Sequence, residues 1–124
     1  MKDKNDNIFG HIQNAVIYSI AGFKAAWTNE MAFRTEAIVI ATMLPIGIWM
    51  GKTVVEWALL IGSCMLVLIT ELLNSAVENV VDRISAERHI LSKQAKDLGS
   101  AAAAVSMLTV LIVWGLIAYE RFMR

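Results

Sequence analysis

Cysteine and proline are nearly missing from this chain of 124 residues, which holds one of each. A lone thiol, Cys64, cannot close an intrachain disulfide, so a disulfide-stapled scaffold is excluded. One proline, seven glycines and a lack of alternating apolar and polar runs argue against a turn-rich β protein. Charge is also scarce, at 18% of residues against roughly 25% in a soluble domain. Neither sign is in excess: 11 basic and 11 acidic residues cancel, which leaves no global field to attract nucleic acid. Met1 to Asn7 is polar and expected to fray, and no apolar stretch of signal-peptide type follows it.

What the chain has instead is apolar residues. They make up 57% with glycine left out, and the mean hydropathy is +0.58. They fall in long uncharged runs with charges clustered between, the pattern of a small integral membrane protein. From Ile8 to Trp27, the apolar residues Ile8, Phe9, Ile12, Val16, Ile20, Phe23 and Trp27 recur at spacings of mostly four and sometimes three. That predicts an amphipathic helix over 8–27, lying in the membrane interface or packed outside a bundle.

Three spans follow. Ala37 to Gly51 is uncharged for 15 residues, short of the roughly 20 that a span needs. It becomes long enough over 31–51, with Arg34 and Glu36 facing protein. Pro45 inside it is tolerable where neighbours satisfy the freed carbonyl. No helix breaker interrupts Trp57 to Ile84, which predicts one long helix over 54–85 with three acids on its later half. Arg83 to Asp97 reads as water-facing, with Ser92 as a candidate cap for the next helix. Leu98 to Tyr119 is uncharged for 22 residues and meets the span criterion unaided, giving a third span over 97–119. Lysine and arginine number eight on the N-terminal and second-loop side and three on the other. That puts the N-terminus in the cytoplasm. The expectation is a single all-α membrane domain over 1–124, without internal repeats.

The second span carries the strongest chemical signal, Glu71-Leu-Leu-Asn-Ser-Ala-Val-Glu78 followed by Asp82. At about 100° per residue, seven steps nearly close two turns, so Glu71 and Glu78 share a face. Asn74 and Ser75 lie between them there. A carboxylate at a span centre costs about 2.5–3.5 kcal/mol on insertion scales, and less near the interface. Such groups must face protein, water or a cation. A structural polar seam is the bland reading. Glu71 and Glu78 stand about 10.5 Å apart along the axis and cannot easily share one ion. If Glu78 binds metal it needs a carboxylate from another helix, and Glu30, at the junction of the first helix and span one, is a candidate. Glu71 is then free for proton chemistry, the division of labour that phosphoryl transfer needs. Lys96 and Asp97 open the third span. A lysine there suits phosphate oxygens, or simply marks topology. No Walker-type loop, no H-E-x-x-H and no cysteine cluster is present.

The stretch from Glu71 to Asp82, of the form E-x-x-N-[ST]-A-x-E-x-x-V-D, resembles the signature of the small prokaryotic integral-membrane diacylglycerol kinases, most closely the proteobacterial type. Two further blocks are similar to that family's: Ala25 to Arg34, and Lys96-Asp97-Leu98-Gly99-Ser100-Ala101-Ala102. The resemblance implies a homotrimer in the bacterial inner membrane, with sites formed between protomers. It implies transfer of the γ-phosphoryl group of MgATP to the primary hydroxyl of 1,2-diacylglycerol, giving phosphatidic acid for phospholipid recycling. It implies Glu71 as general base supported by Asn74, and Glu30 and Glu78 as Mg2+ ligands. ATP would meet Tyr18, Glu30, Glu78, Glu87, His89, Lys96 and Asp97. The lipid substrate would meet Ala32, Phe33, Arg34, Thr35, Glu36, Glu71 and Ser100. The chain departs from the family pattern at His11, Glu56-Trp57 and Arg88, all outside the core acids.

One alternative lies within the same enzyme class and two lie outside it. An undecaprenol kinase shares the architecture and differs in its lipid. A non-catalytic helix bundle, or an ion channel built on membrane acids, would lack dependence on MgATP.

Overall fold

The computed structural model describes residues 7–84 and 87–124, and among them there are four helices and no strand. Of the segment Met1 to Asn7 expected to fray, residues 1–6 lie outside the described residues, whereas Asn7 is ordered as a helix cap; Ser85, the expected end of span two, also lies outside them. The helices are α1 (Ile8–Asn29), α2 (Met31–Met50), α3 (Val54–Ile84) and α4 (Ile90–Phe122). The all-α class expected from the sequence is the one observed, and α2, α3 and α4 are each long and apolar enough to cross a membrane.

Each boundary has a local cause. Asn7 starts α1: its side-chain oxygen accepts from the Gly10 amide at 2.7 Å, satisfying one of the free N–H groups of the first turn. A single residue, Glu30, separates α1 from α2, with extended backbone at φ −111° and ψ 102°. α2 runs on through Pro45 to Met50. Thr53 and Glu56 form a reciprocal capping box at the head of α3. The Glu56 carboxylate accepts from the Thr53 amide at 3.0 Å, and the Thr53 hydroxyl accepts from the Glu56 amide at 3.1 Å. α4 starts at Ile90, capped by the His89 imidazole, whose Nδ1 accepts from the Leu91 amide at 3.1 Å. The expected cap, Ser92, lies inside the first turn instead. With His89 as the cap, Ile90, Leu91 and Ser92 are the first three residues of the helix.

The apolar core lies between α2, α3 and α4. Leu60 and Cys64 of α3 are fully buried, with Ile40 and Met50 of α2 and Ile117 of α4 packed around them. Among the described residues, side-chain hydrogen bonds also link these helices. The Trp57 indole donates to the Ile48 carbonyl at 3.1 Å, and Trp114 donates to the Leu60 carbonyl at 3.2 Å. The Thr70 and Ser106 hydroxyls meet at 2.8 Å. Gly47 admits the Trp114 ring: a Cβ there would stand 2.9 Å from its Cη2. By contrast α1 leaves Ile8, Phe9, Ile12 and Ile20 exposed, an apolar face that no other described residue covers and that suits a lipid interface.

Length sorts the rods. α3 has 31 residues and α4 has 33. At 1.5 Å per residue they are about 46 and 50 Å long, against about 30 Å of hydrocarbon. Both therefore project beyond the membrane. The tight apolar core occupies the early part of α3, and the acidic residues occupy the later part.

Candidate active site

Helical periodicity alone puts Glu71, Ser75 and Glu78 on one side of α3, and packing then separates their surroundings. Glu71 and Ser75 are buried, at 7% exposure each, whereas Glu78 is half-buried. Glu71 is close enough to Glu78 and Glu30 to feel both charges, and Glu36 of α2 feels Glu71 in turn. The structure thus gathers four carboxylates from α2, α3 and the α1–α2 break. Such crowding of like charge is relieved by a bound proton or by a cation. Among the described residues, no three His, Cys, Asp or Glu side chains converge tightly enough to hold an ion by themselves. Mg2+ does not require that, because it is usually held by one or two carboxylates together with substrate phosphates. Glu30 and Glu78 fit that donor set.

Glu30 faces a groove of about 550 Å³ between α1 and α3. Gly22, Ala25 and Ala26 form one wall, with Ser75, Ala76 and Asn79 opposite. Small side chains on both helices keep it open. Two acceptors near these acids have no hydrogen-bond partner: Glu36 Oε2 and Asn74 Oδ1, both buried. Unpaired buried acceptors are costly, so each is a place where a donor on a bound molecule gains most. Asn74 owes its position to Gly99 on α4. A Cβ at residue 99 would overlap Asn74 Oδ1 and stand 3.3 Å from its Cγ.

A second hollow, of about 650 Å³, lies beyond the acids at the α3–α4 connection. Asp82, Glu87, Arg88, His89, Lys93 and Lys96 line it. The Lys96 ammonium bridges from α4 to Asp82 at 2.6 Å and also feels Glu78, so it stands between the two groups. Basic Arg88, Lys93 and Lys96 and acidic Asp82 and Glu87 share this end, with Lys96 paired to Asp82 and Lys93 to Asp97, so a lysine that exchanges its aspartate for a phosphate supplies the positive charge.

Several expected residues fall elsewhere. Asp97 pairs with Lys93 at 2.6 Å rather than lining the hollow. Tyr18 is exposed on α1 and lines neither space. Phe33 is buried against Phe23, ring centroids 6.4 Å apart, so its ring packs on α1. Arg34 turns its guanidinium onto the backbone of α1. Ala32, Thr35 and Ser100 are exposed, and the Thr35 hydroxyl is engaged with the Met31 carbonyl.

Sequence reasoning missed Asn79, Asn29 and Gly99. Asn79 was accessible in principle, being four residues after Ser75 on the same helical face. Gly99 carries no local signal, because its role depends on a residue 25 positions earlier on another helix.

Comparison with known proteins gives one consistent answer. The sequence profile of the prokaryotic diacylglycerol kinase family matches residues 17–118. A diacylglycerol kinase of Haemophilus influenzae is 49% identical over 105 residues, covering 85% of this chain and 89% of its own. That of Escherichia coli K12 is 43% identical over 118 residues, covering 95% and 97%. That of Pseudomonas aeruginosa is 47% identical over 106 residues, covering 86% of each.

Proposed function

The chain belongs to the prokaryotic diacylglycerol kinase family, and from that premise we infer that it is a membrane enzyme moving the γ-phosphoryl group of ATP to the primary hydroxyl of 1,2-diacylglycerol. The product is phosphatidic acid. The observation that carries the reading is the gathering of Glu30, Glu36 and Glu78 around the buried Glu71, beside the hollow at Lys96.

Each group has a task. Glu71 accepts the proton of the lipid hydroxyl as that oxygen attacks the γ-phosphorus in line with the bond to ADP, which breaks. The carboxylate need not deprotonate an alcohol beforehand; it takes the proton as the new P–O bond forms. Asn74, with its unpaired oxygen, supports the reacting centre beside it. Lys96 meets the phosphates as a point charge, and Glu87, His89 and Asp97 border the nucleotide. Tyr18 joins them from α1. Bound Mg2+ would neutralise charge on the phosphates, with Glu30 and Glu78 as the side chains that hold it. Ala32, Thr35, Glu36 and Ser100 border the acceptor lipid. Burial of Glu71 keeps bulk water from competing as acceptor. Catalysis on this scheme is positioning and electrostatics rather than covalent chemistry.

The same reading makes the protein a homotrimer of the bacterial inner membrane with its N-terminus in the cytoplasm. The distribution of lysine and arginine, eight against three, supports that orientation. The family likeness supports the trimer.

The test is phosphate transfer from radiolabelled ATP by purified protein in mixed micelles with Mg2+, diacylglycerol and undecaprenol being offered in parallel. Label in phosphatidic acid, with Glu71→Gln still trimeric and still binding ATP but losing most turnover, is the expected result. Label only in the polyprenol would change the substrate. Near wild-type turnover in Glu71→Gln would remove the base assignment.

A further inference from the structure

We propose that Arg34 is a positioning residue for Glu30: its guanidinium clamps the end of α1 and so fixes the one non-helical residue between α1 and α2. The inference rests on reading Glu30 as a metal-holding carboxylate.

A helix ends with carbonyls that have no partner within it. Where α1 stops, Arg34 Nη1 donates to the Trp27 carbonyl at 2.9 Å and to the Thr28 carbonyl at 3.1 Å. These bonds span seven and six residues in sequence. They cross the break and join the first turn of α2 to the last turn of α1. A cation is also favoured there by the helix dipole. Among the described residues, no carboxylate lies within ion-pair distance of Arg34, so the backbone carbonyls are what it serves.

The backbone completes the bracket. The Glu30 amide donates to the Ala26 carbonyl at 2.9 Å, and the Glu30 carbonyl accepts from the Arg34 amide at 3.2 Å. Glu30 is therefore held from α1 through its own N–H, and from α2 through its own carbonyl. Arg34 lies at both ends of this arrangement, by main chain on one side and by side chain on the other. Glu30's own side chain makes no cap hydrogen bond to α2, so its carboxylate is left to the groove facing Ser75 and Asn79. Releasing the clamp leaves two carbonyls to find water and frees the angle between α1 and α2. Glu30 then loses its fixed approach to α3. Phe23 packs against Phe33 across the break as well, and that contact has no directional bond.

The experiment measures ion binding rather than turnover. Mn2+, which reports by electron paramagnetic resonance, is titrated into the full-length protein in micelles with a non-hydrolysable ATP analogue. Arg34→Ala should weaken Mn2+ binding roughly tenfold, as loss of a residue that orients a metal ligand does. Arg34→Lys, whose ammonium has donors for both carbonyls, should recover most of that. In a Glu30→Gln background, Arg34→Ala should change nothing further. Amide exchange at Glu30 should quicken in Arg34→Ala while the unfolding midpoint holds. Arg34→Met, which keeps the stem and removes the donors, replaces Arg34→Ala if that variant does not fold. Unchanged Mn2+ affinity in the Arg34 variants, beside a loss in Glu30→Gln, would overturn the proposal. So would an Arg34 effect of the same size without the Glu30 carboxylate. Unchanged affinity in Glu30→Gln alone would instead remove the metal role of Glu30, and the proposal with it.

Discussion

Replacing Gly99 by alanine is the sharpest test of how α3 and α4 meet. Gly99 lies inside α4 without a positive φ, so nothing in its backbone demands glycine. On helix propensity alone, alanine should stabilise by about 0.8–1.0 kcal/mol. The new methyl, however, overlaps Asn74 Oδ1 and stands 3.3 Å from Cγ and 3.8 Å from Cα of the same residue. The last of these is an ordinary van der Waals contact, so the strain falls on the Asn74 amide, which must move to admit the methyl. Forcing a methyl into a packed site costs typically about 1–3 kcal/mol. The net change in the wild-type background is then about 0–2 kcal/mol of destabilisation. In an Asn74→Ala background the obstructing amide is gone, and the sign reverses: Gly99→Ala should stabilise by up to about 1 kcal/mol. The coupling between the two positions is therefore about 1–3 kcal/mol, well above the roughly 0.3–0.5 kcal/mol scatter of independent sites. Denaturant unfolding of all four proteins in detergent micelles measures it. Turnover of Gly99→Ala should fall by roughly tenfold to a hundredfold, because Asn74 is displaced beside the reacting centre. Additive free energies, or a Gly99→Ala enzyme of full activity, would refute the reasoning.

Three further outcomes follow from other parts of the structure. Lys96→Ala should lose most turnover with an unchanged unfolding midpoint, since the Lys96–Asp82 bridge is largely exposed and such pairs add little stability; kinase assay and thermal unfolding separate the two. Thr53→Ala removes half of the capping box at the head of α3 and should cost about 1 kcal/mol, with turnover retained because the box lies at the opposite end of α3 from the acids. Ser106→Ala breaks the α3–α4 hydroxyl contact but leaves Thr70 bonded to the Val67 carbonyl, so unfolding should register only about 0.6 kcal/mol, the usual worth of such a bond in a membrane.

What the sequence makes legible is whatever repeats along a helix. Uncharged runs announce the three rods that can cross a membrane, and a step of seven residues announces that Glu71 and Glu78 share a face. The candidate acids are readable for the same reason: carboxylates amid apolar residues stand out. Contacts that leap between helices are not readable. Nothing in the order of residues says that Asn74 lodges against Gly99, or that Lys96 reaches back to Asp82. The cap of α4 was hidden for a chemical reason. Oxygen-bearing side chains lead the N-cap preferences, which points to Ser92, whereas a ring nitrogen of His89 does the work. Arg34 is expected to face protein and does, but nothing in the sequence says that its partners are main-chain carbonyls of α1.

α3 and α4 outlast the hydrocarbon they cross by roughly 15–20 Å. The bilayer therefore acts as a ruler laid against the protein. A thicker membrane would draw the acid-bearing turns below the headgroups and away from a water-borne nucleotide. A thinner one would leave the hydroxyl of a membrane-borne lipid short of Glu71. Each ångström of mismatch costs only fractions of a kcal/mol, so the rods can settle at more than one depth. On the proposed scheme, lipid composition would then bear on the height at which donor and acceptor meet, without touching a single side chain.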